Sequence, residues 1–174
     1  NVAPTTTTST RPELIAAEIT ASLVDGGDIE TSQSDEVAKD IEAVLREYVR
    51  VERQIDEEAK DRLARMGGTY SGFAKVKKTV AKQRGFGIGE DAVTYIVSQL
   101  IECFLHSNNV DEIFSDDQAL NVKIRSVLRK HMAVDEEVDK EVRDKIKNLD
   151  EGTRTWEVEY EKVRDEVKKK LKLT

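Results

Sequence analysis

The sequence predicts an all-α fold: two tandem, pseudo-repeated units of three to four helices packed into one helical body. Three observations point there. Both prolines, Pro4 and Pro12, fall in the first dozen residues, so no proline ring breaks a helix from Glu13 to Thr174. Charged side chains make up 36% of the 174 residues, with a net charge of -7, against about a quarter in an ordinary soluble protein. The second half of the chain also repeats the order of the first.

Composition excludes several alternatives. A β-sandwich needs frequent Gly/Pro turns and β-branched alternation. Low-complexity and collagen-like chains need other biases. No apolar run of about 18 residues exists for a membrane span, since Gln99 and Glu102 interrupt the most apolar window, Ala92 to Leu105. With four Phe, four Tyr and one Trp, the core must be mostly aliphatic. No signal peptide is visible, and the one cysteine, Cys103, has no internal partner. A cytoplasmic location is the expectation.

Taken in order, residues 1–10 carry the run Thr5 to Thr8 and no apolar periodicity, and are expected to be a disordered tail. The first helical unit is set at residues 11–84. Its first helix spans Pro12 to Val24, with Pro12 suited to the first turn, and ends at Gly26-Gly27. The second starts near Ser34 or Asp35 with Ile41, Val44, Leu45, Tyr48 and Val51 at helical spacing. The stripe runs on through Ile55, Ala59 and Leu63, as one long helix or two. After Gly67-Gly68 the last helix covers Ser71 to Arg84.

Residues 85–89, Gly-Phe-Gly-Ile-Gly, read as a short flexible linker. A phosphate-loop reading fails, because the run follows a helix and lacks the Gly-Lys-Ser/Thr ending. The second helical unit is set at residues 90–174. Its second helix is expected to open at Ser115, with Gln118 completing a capping box.

The repeat is carried by Ile55-Asp56-Glu57-Glu58, which returns as Val138-Asp139-Lys140-Glu141 at an offset of 83, as does Val44-Leu45-Arg46 as Val127-Leu128-Arg129. Leu14, Ile15, Ile19 and Leu23 return as Ile96, Val97, Ile101 and Leu105 at an offset of 82, and Phe73, Val76 and Val80 as Tyr160, Val163 and Val167 at 87. Asn108-Asn109 stands where Gly26-Gly27 does, as a helix-ending pair. A unit of this size has a marginal core alone, so the two first helices are expected to pack together, Leu14, Ile15 and Ile19 against Ile96, Val97, Leu100 and Ile101.

The acidic Ile55-Asp56-Glu57-Glu58 segment, the lysine-rich helix after it and Arg84-Gly85-Phe86 resemble a bacterial family, domain-of-unknown-function family 507, in its tandem two-unit form. The resemblance covers about Pro12 to Leu173. Lys140 departs from it where Glu57 fits, and so does the Leu171-Lys172-Leu173 ending without Gly-Phe. It implies a small helical cytoplasmic protein with no catalytic residues to carry over.

Candidate chemistry is sparse. Cys103 and His106 can meet at i and i+3, but zinc needs about four ligands, and the other histidine, His131, falls on the apolar stripe. Asp56-Glu57-Glu58 and Asp135-Glu136-Glu137 are placed near helix starts, where they would complement the dipole. No metal, cofactor or catalytic residue is expected, and the protein is read as no enzyme.

Two basic helices stand out as a candidate binding surface. One carries Lys75, Lys77, Lys78, Lys82 and Arg84, the other Lys162, Arg164, Lys168, Lys169, Lys170 and Lys172. Trp156 and Tyr160 are candidate interface anchors. The expected function is a non-enzymatic interaction or adaptor protein, with a protein partner or self-association. The alternative is a nucleic-acid- or ribosome-associated protein using both basic helices.

Overall fold

The computed structural model describes residues 11–172, so the expected tail at 1–10 lies outside it. Six α-helices follow in order: α1 (Pro12–Asp25), α2 (Ser34–Arg65), α3 (Phe73–Gln83), α4 (Ala92–His106), α5 (Asp117–Lys145) and α6 (Arg154–Lys170). They pack into one body.

The long apolar stripe resolves into one helix. Val37, Ile41, Leu45, Tyr48, Ile55 and Ala59 are all buried along the 32 residues of α2. Their spacing holds them on one face, and no glycine or proline falls between Ser34 and Arg65 to end the helix. Leu120, Ile124, Leu128, Val138 and Val142 do the same for α5. Each acidic triplet therefore lies inside a long helix and not at its start, so the dipole argument does not apply to them.

Four helices form a ring in which α1 packs on α2, α2 on α4, α4 on α5 and α5 on α1. Helices α1 and α4 sit diagonally, not as close neighbours, although Ile15, Ile19, Ile96, Val97 and Leu100 share one core. Leu14 stands outside that core, 46% exposed. Two hairpins extend from the ring. Helix α3 folds back on α2 and α6 on α5. The first joins the main core through Phe73, Val80 and Ala81. The second has a separate core of Val138, Val142, Ile146, Trp156, Tyr160, Val163 and Val167.

Two strands of two residues each, β1 (Ile29–Glu30) and β2 (Glu112–Ile113), pair antiparallel with Ile29 opposite Ile113. They tie the α1–α2 turn to the α4–α5 turn and were not expected from sequence. Asp28 reinforces the tie by accepting hydrogen bonds from Ser115 Oγ at 2.6 Å and from Lys123. Ser115 is thus not the cap of α5. Asp116 is, its carboxylate accepting from the Ala119 N–H at 2.8 Å.

The helix-ending pairs also differ. Gly27 is left-handed at φ +73°. No asparagine among the described residues is. Instead Asn109 donates its side-chain N–H to Asp40 at 2.9 Å, and Ser107 Oγ donates to the same oxygen.

The 85–89 junction is packed rather than loose. Phe86 is buried and stacks on Tyr48 with 4.6 Å between centroids, and Tyr95 closes the aromatic group at 4.8 Å from Phe86. The Tyr48 hydroxyl donates to the Gly87 carbonyl at 2.7 Å. A Cβ on Gly87 would stand 2.7 Å from the Asp91 carbonyl oxygen and from Tyr95 Cβ.

Candidate interaction surface

Helix α3 has two unlike faces. Phe73, Lys77, Val80 and Ala81 are buried against α2. Lys75, Lys78 and Lys82, spaced by three and four residues, share the opposite, exposed face. None of the three has an ion-pair partner among the described residues, and the helix holds no acid.

Lys77 does not belong to that surface. It is 6% exposed, with Nζ at 2.8 Å from Asp56 Oδ1 and 3.3 Å from Glu52 Oε2. Arg84, at the end of α3, points back to α2, donating to Glu58 at 2.9 Å and to Gln54 at 3.4 Å. The stretch from 75 to 84 therefore splits into an outward lysine row and two cations committed to α2.

Helix α6 is different. Lys162, Lys169 and Lys172 are exposed. Arg164 is held by Glu161 at 2.6 Å, and Lys170 lies 3.6 Å from Glu141. Lys168 is half-buried, and burial together with the nearby Arg164 charge pushes its ammonium below the usual lysine range. Glu157, Glu159, Glu161, Asp165 and Glu166 share the helix with these cations, all of them before Lys168. The two basic helices are thus not equivalent, and of the two only α3 is free of acids along its whole length.

Trp156 and Tyr160 are not exposed anchors. They are 3% and 2% exposed and stack with centroids 5.1 Å apart inside the α5–α6 core. The Arg143 guanidinium lies 5.3 Å over the Trp156 ring. Tyr160 donates its hydroxyl to Asp139. Their stripe fills the hairpin because α6 touches little besides α5.

Cys103 is half-buried, with its thiol pushed up by burial and by Asp40. His106 is exposed and bonded to Glu102 at 3.1 Å. His131 is 3% exposed and meets Glu18 at 3.2 Å, in keeping with its place on the apolar stripe. No group of three His, Cys, Asp or Glu side chains placed to hold a metal occurs among the described residues. No described helix is long and apolar enough to cross a membrane.

One charged feature escaped the sequence reading. A groove of about 760 Å³ runs along the outer face of α2, lined by Arg46, Arg50, Arg53, Glu57 and Asp61 and bordered by Pro12 and Arg84. The available signal was the spacing of the arginines, three and four residues apart on the side away from the apolar stripe.

Fold and surface together define a helical protein whose distinctive exterior is charged, with cations and carboxylates sorted onto particular helix faces. Residues 8–173 match the family model described as protein of unknown function (DUF507), and the chain belongs to that family. None of the curated proteins compared with it matches.

Proposed function

We propose that this is a non-enzymatic interaction protein that presents the outer face of α3 to an acidic surface on a protein partner. The observation that carries the reading is the row Lys75, Lys78 and Lys82, exposed and free of acids on its own helix. The chain bears a net charge of -7, so a basic row kept clear of carboxylates is not an average of the surface. Complementary charge of this kind sets association rate and specificity more than raw affinity.

The test is a pull-down at physiological salt with the wild type and with Lys75→Glu/Lys78→Glu/Lys82→Glu, alongside far-UV circular dichroism. The reading expects the captured partner to be lost in the triple variant while the helical spectrum stays. Equal capture by both proteins would sink it.

A nucleic-acid reading is favoured by the length of the row. At 1.5 Å per residue the three lysines span roughly 10 Å, enough to follow a phosphate backbone. It requires RNA or DNA binding that weakens steeply with salt and disappears in the same triple variant.

We also infer that the fold arose by tandem duplication, with bacterial and cytoplasmic origins following from the family resemblance and the lone cysteine. Each unit runs short helix, short strand, long helix, then a helix folded back on the long one. Exchanging the units maps every close helix pair onto another: α1–α2 onto α4–α5, α2–α3 onto α5–α6, and α2–α4 onto α5–α1. Burial favours an offset of 81 in the first helices, not 82. At 81, Ile15, Ala16, Ile19 and Leu23 align with Ile96, Val97, Leu100 and Phe104, and all eight are buried. At 82, buried Leu23 would align with Leu105, which is 60% exposed.

A further inference from the structure

We infer that the protein forms a weak symmetric dimer by laying the outer stripe of α2 antiparallel against the same stripe of a second copy. The argument rests on how charge is laid along the groove. Arg46, Arg50 and Arg53 occupy one end, and Glu57 and Asp61 the other, where Arg84 also lines the groove but is paired with Glu58 at 2.9 Å. All five lie on the face opposite Leu45, Glu52, Ile55 and Ala59, which are buried. The ring and the α3 hairpin leave this stripe without a covering helix.

A stripe that is positive at one end and negative at the other is self-complementary under a two-fold axis. In such an interface each contact is made twice, with the roles exchanged. An antiparallel register that sets Arg50 opposite Asp61 of the second copy also sets Arg53 opposite its Glu58 and within one residue of its Glu57. Symmetry supplies the reciprocal pairs. Arg50, Arg53, Glu57 and Asp61 then each meet an opposite charge, while Arg46, which would face Arg65, is already held by Glu42 at 2.7 Å and Glu13 at 3.0 Å; a parallel register sets like against like.

Local pairing leaves room for this exchange. Arg53 and Asp61 have no ion-pair partner among the described residues. Arg50 is held by Glu47 of its own helix at 2.5 Å, with both side chains more than half exposed, and Glu57 reaches only Lys60 at 3.6 Å. Guanidinium groups have donors to spare for a second carboxylate. Val49, half-buried beside the stripe, adds apolar contact. Exposed ion pairs are individually weak and are screened by salt, so the dimer is salt-sensitive.

Sedimentation equilibrium on the full chain tests the proposal, at about 50 mM and about 500 mM salt, where screening differs strongly. The expected result is a dimer at low salt that dissociates at high salt. Arg50→Glu/Arg53→Glu and Glu57→Lys/Asp61→Lys should each be monomeric with unchanged circular dichroism. An equimolar mixture of the two should form a heterodimer, which misfolded variants could not do. Lys75→Glu/Lys78→Glu/Lys82→Glu should still dimerise, which separates this interface from the α3 surface. A wild type monomeric at low salt and millimolar protein, a mixture that stays monomeric, or a dimer lost in the α3 variant would each overturn the proposal.

Discussion

Lys77 Nζ lies 2.8 Å from Asp56 Oδ1 in the buried seam between α2 and α3. Glu52 shares the same ammonium at 3.3 Å, so one buried cation serves two carboxylates. Burial holds the Asp56 carboxyl above the usual range, Lys77 opposes the shift and Glu52 adds to it. Removing the cation strands the buried Asp56 carboxylate and takes one partner from buried Glu52. Lys77→Ala should therefore cost about 3–5 kcal/mol at neutral pH, measured by urea unfolding. Asp56→Asn keeps the Lys77–Glu52 pair and should cost about 1 kcal/mol or less. Equal losses in the two variants would contradict this account.

The same site fixes a pH dependence. An acid whose pKa is raised by folding binds its proton more tightly in the native state. Its stabilisation is complete below the unfolded value near 3.8 and is lost as pH rises through the native one. Asp56→Asn should flatten this part of the stability profile. A profile that keeps its acid-range slope in the variant would assign the slope elsewhere.

Lys77 also marks where the sequence stopped being legible. Helix order, the α3 bounds to within two residues and the burial of most aliphatic positions follow from spacing. Lys77 looked like its neighbours because a buried lysine differs from a solvated one only by what faces it. The clue was positional: it falls four residues after Phe73 and three before Val80, on the apolar face, opposite Glu52 and Asp56 on the buried face of α2. Trp156 and Tyr160 were legible as a stripe but not as a closed one, because their partners Val138 and Val142 lie in a different helix. The strands β1 and β2 are two residues long, too short for any alternation to register.

Gly87 should resist substitution. Its Cβ would meet a backbone oxygen and Tyr95 Cβ at 2.7 Å, and neither moves without disturbing α4. Gly87→Ala should cost about 1–3 kcal/mol, as overpacking does. Tyr48→Phe, which gives up only the hydrogen bond to the Gly87 carbonyl, should cost about 0.5–1.5 kcal/mol. Thermal melts of both variants decide it, and a harmless Gly87→Ala would mean that the junction is loose after all.

His131 should titrate below the ordinary histidine value of 6.5. Burial disfavours its charged form, and the charges of Arg11 and Lys130 add to that, outweighing the pull of Glu18. The native state thus prefers neutral imidazole. Its contribution to stability is complete above the unfolded pKa and is lost as pH falls through the native one. NMR titration of the His131 ring should place its midpoint under 6.5, and His131→Gln should flatten the stability profile between about pH 5 and 7. A midpoint above 6.5 would show the Glu18 contact winning.

Helix α6 should detach before the rest of the molecule unfolds. Its seven-residue core is separate from the main one, and the ion pair that ties it to α2, Lys60 to Glu157, is long at 3.8 Å. Segments with few buried contacts open at lower free energy than the global transition. Trp156 is the only tryptophan and sits at the centre of that small core, so its fluorescence reports this hairpin alone. In urea the fluorescence midpoint should precede the circular-dichroism midpoint. Trp156→Ala should cost about 3–5 kcal/mol locally. It should remove helical signal equivalent to the 17 residues of α6 while amides in α1 and α2 keep their hydrogen-exchange protection. Coincident midpoints, or global loss of protection in the variant, would instead join the two cores into one cooperative unit.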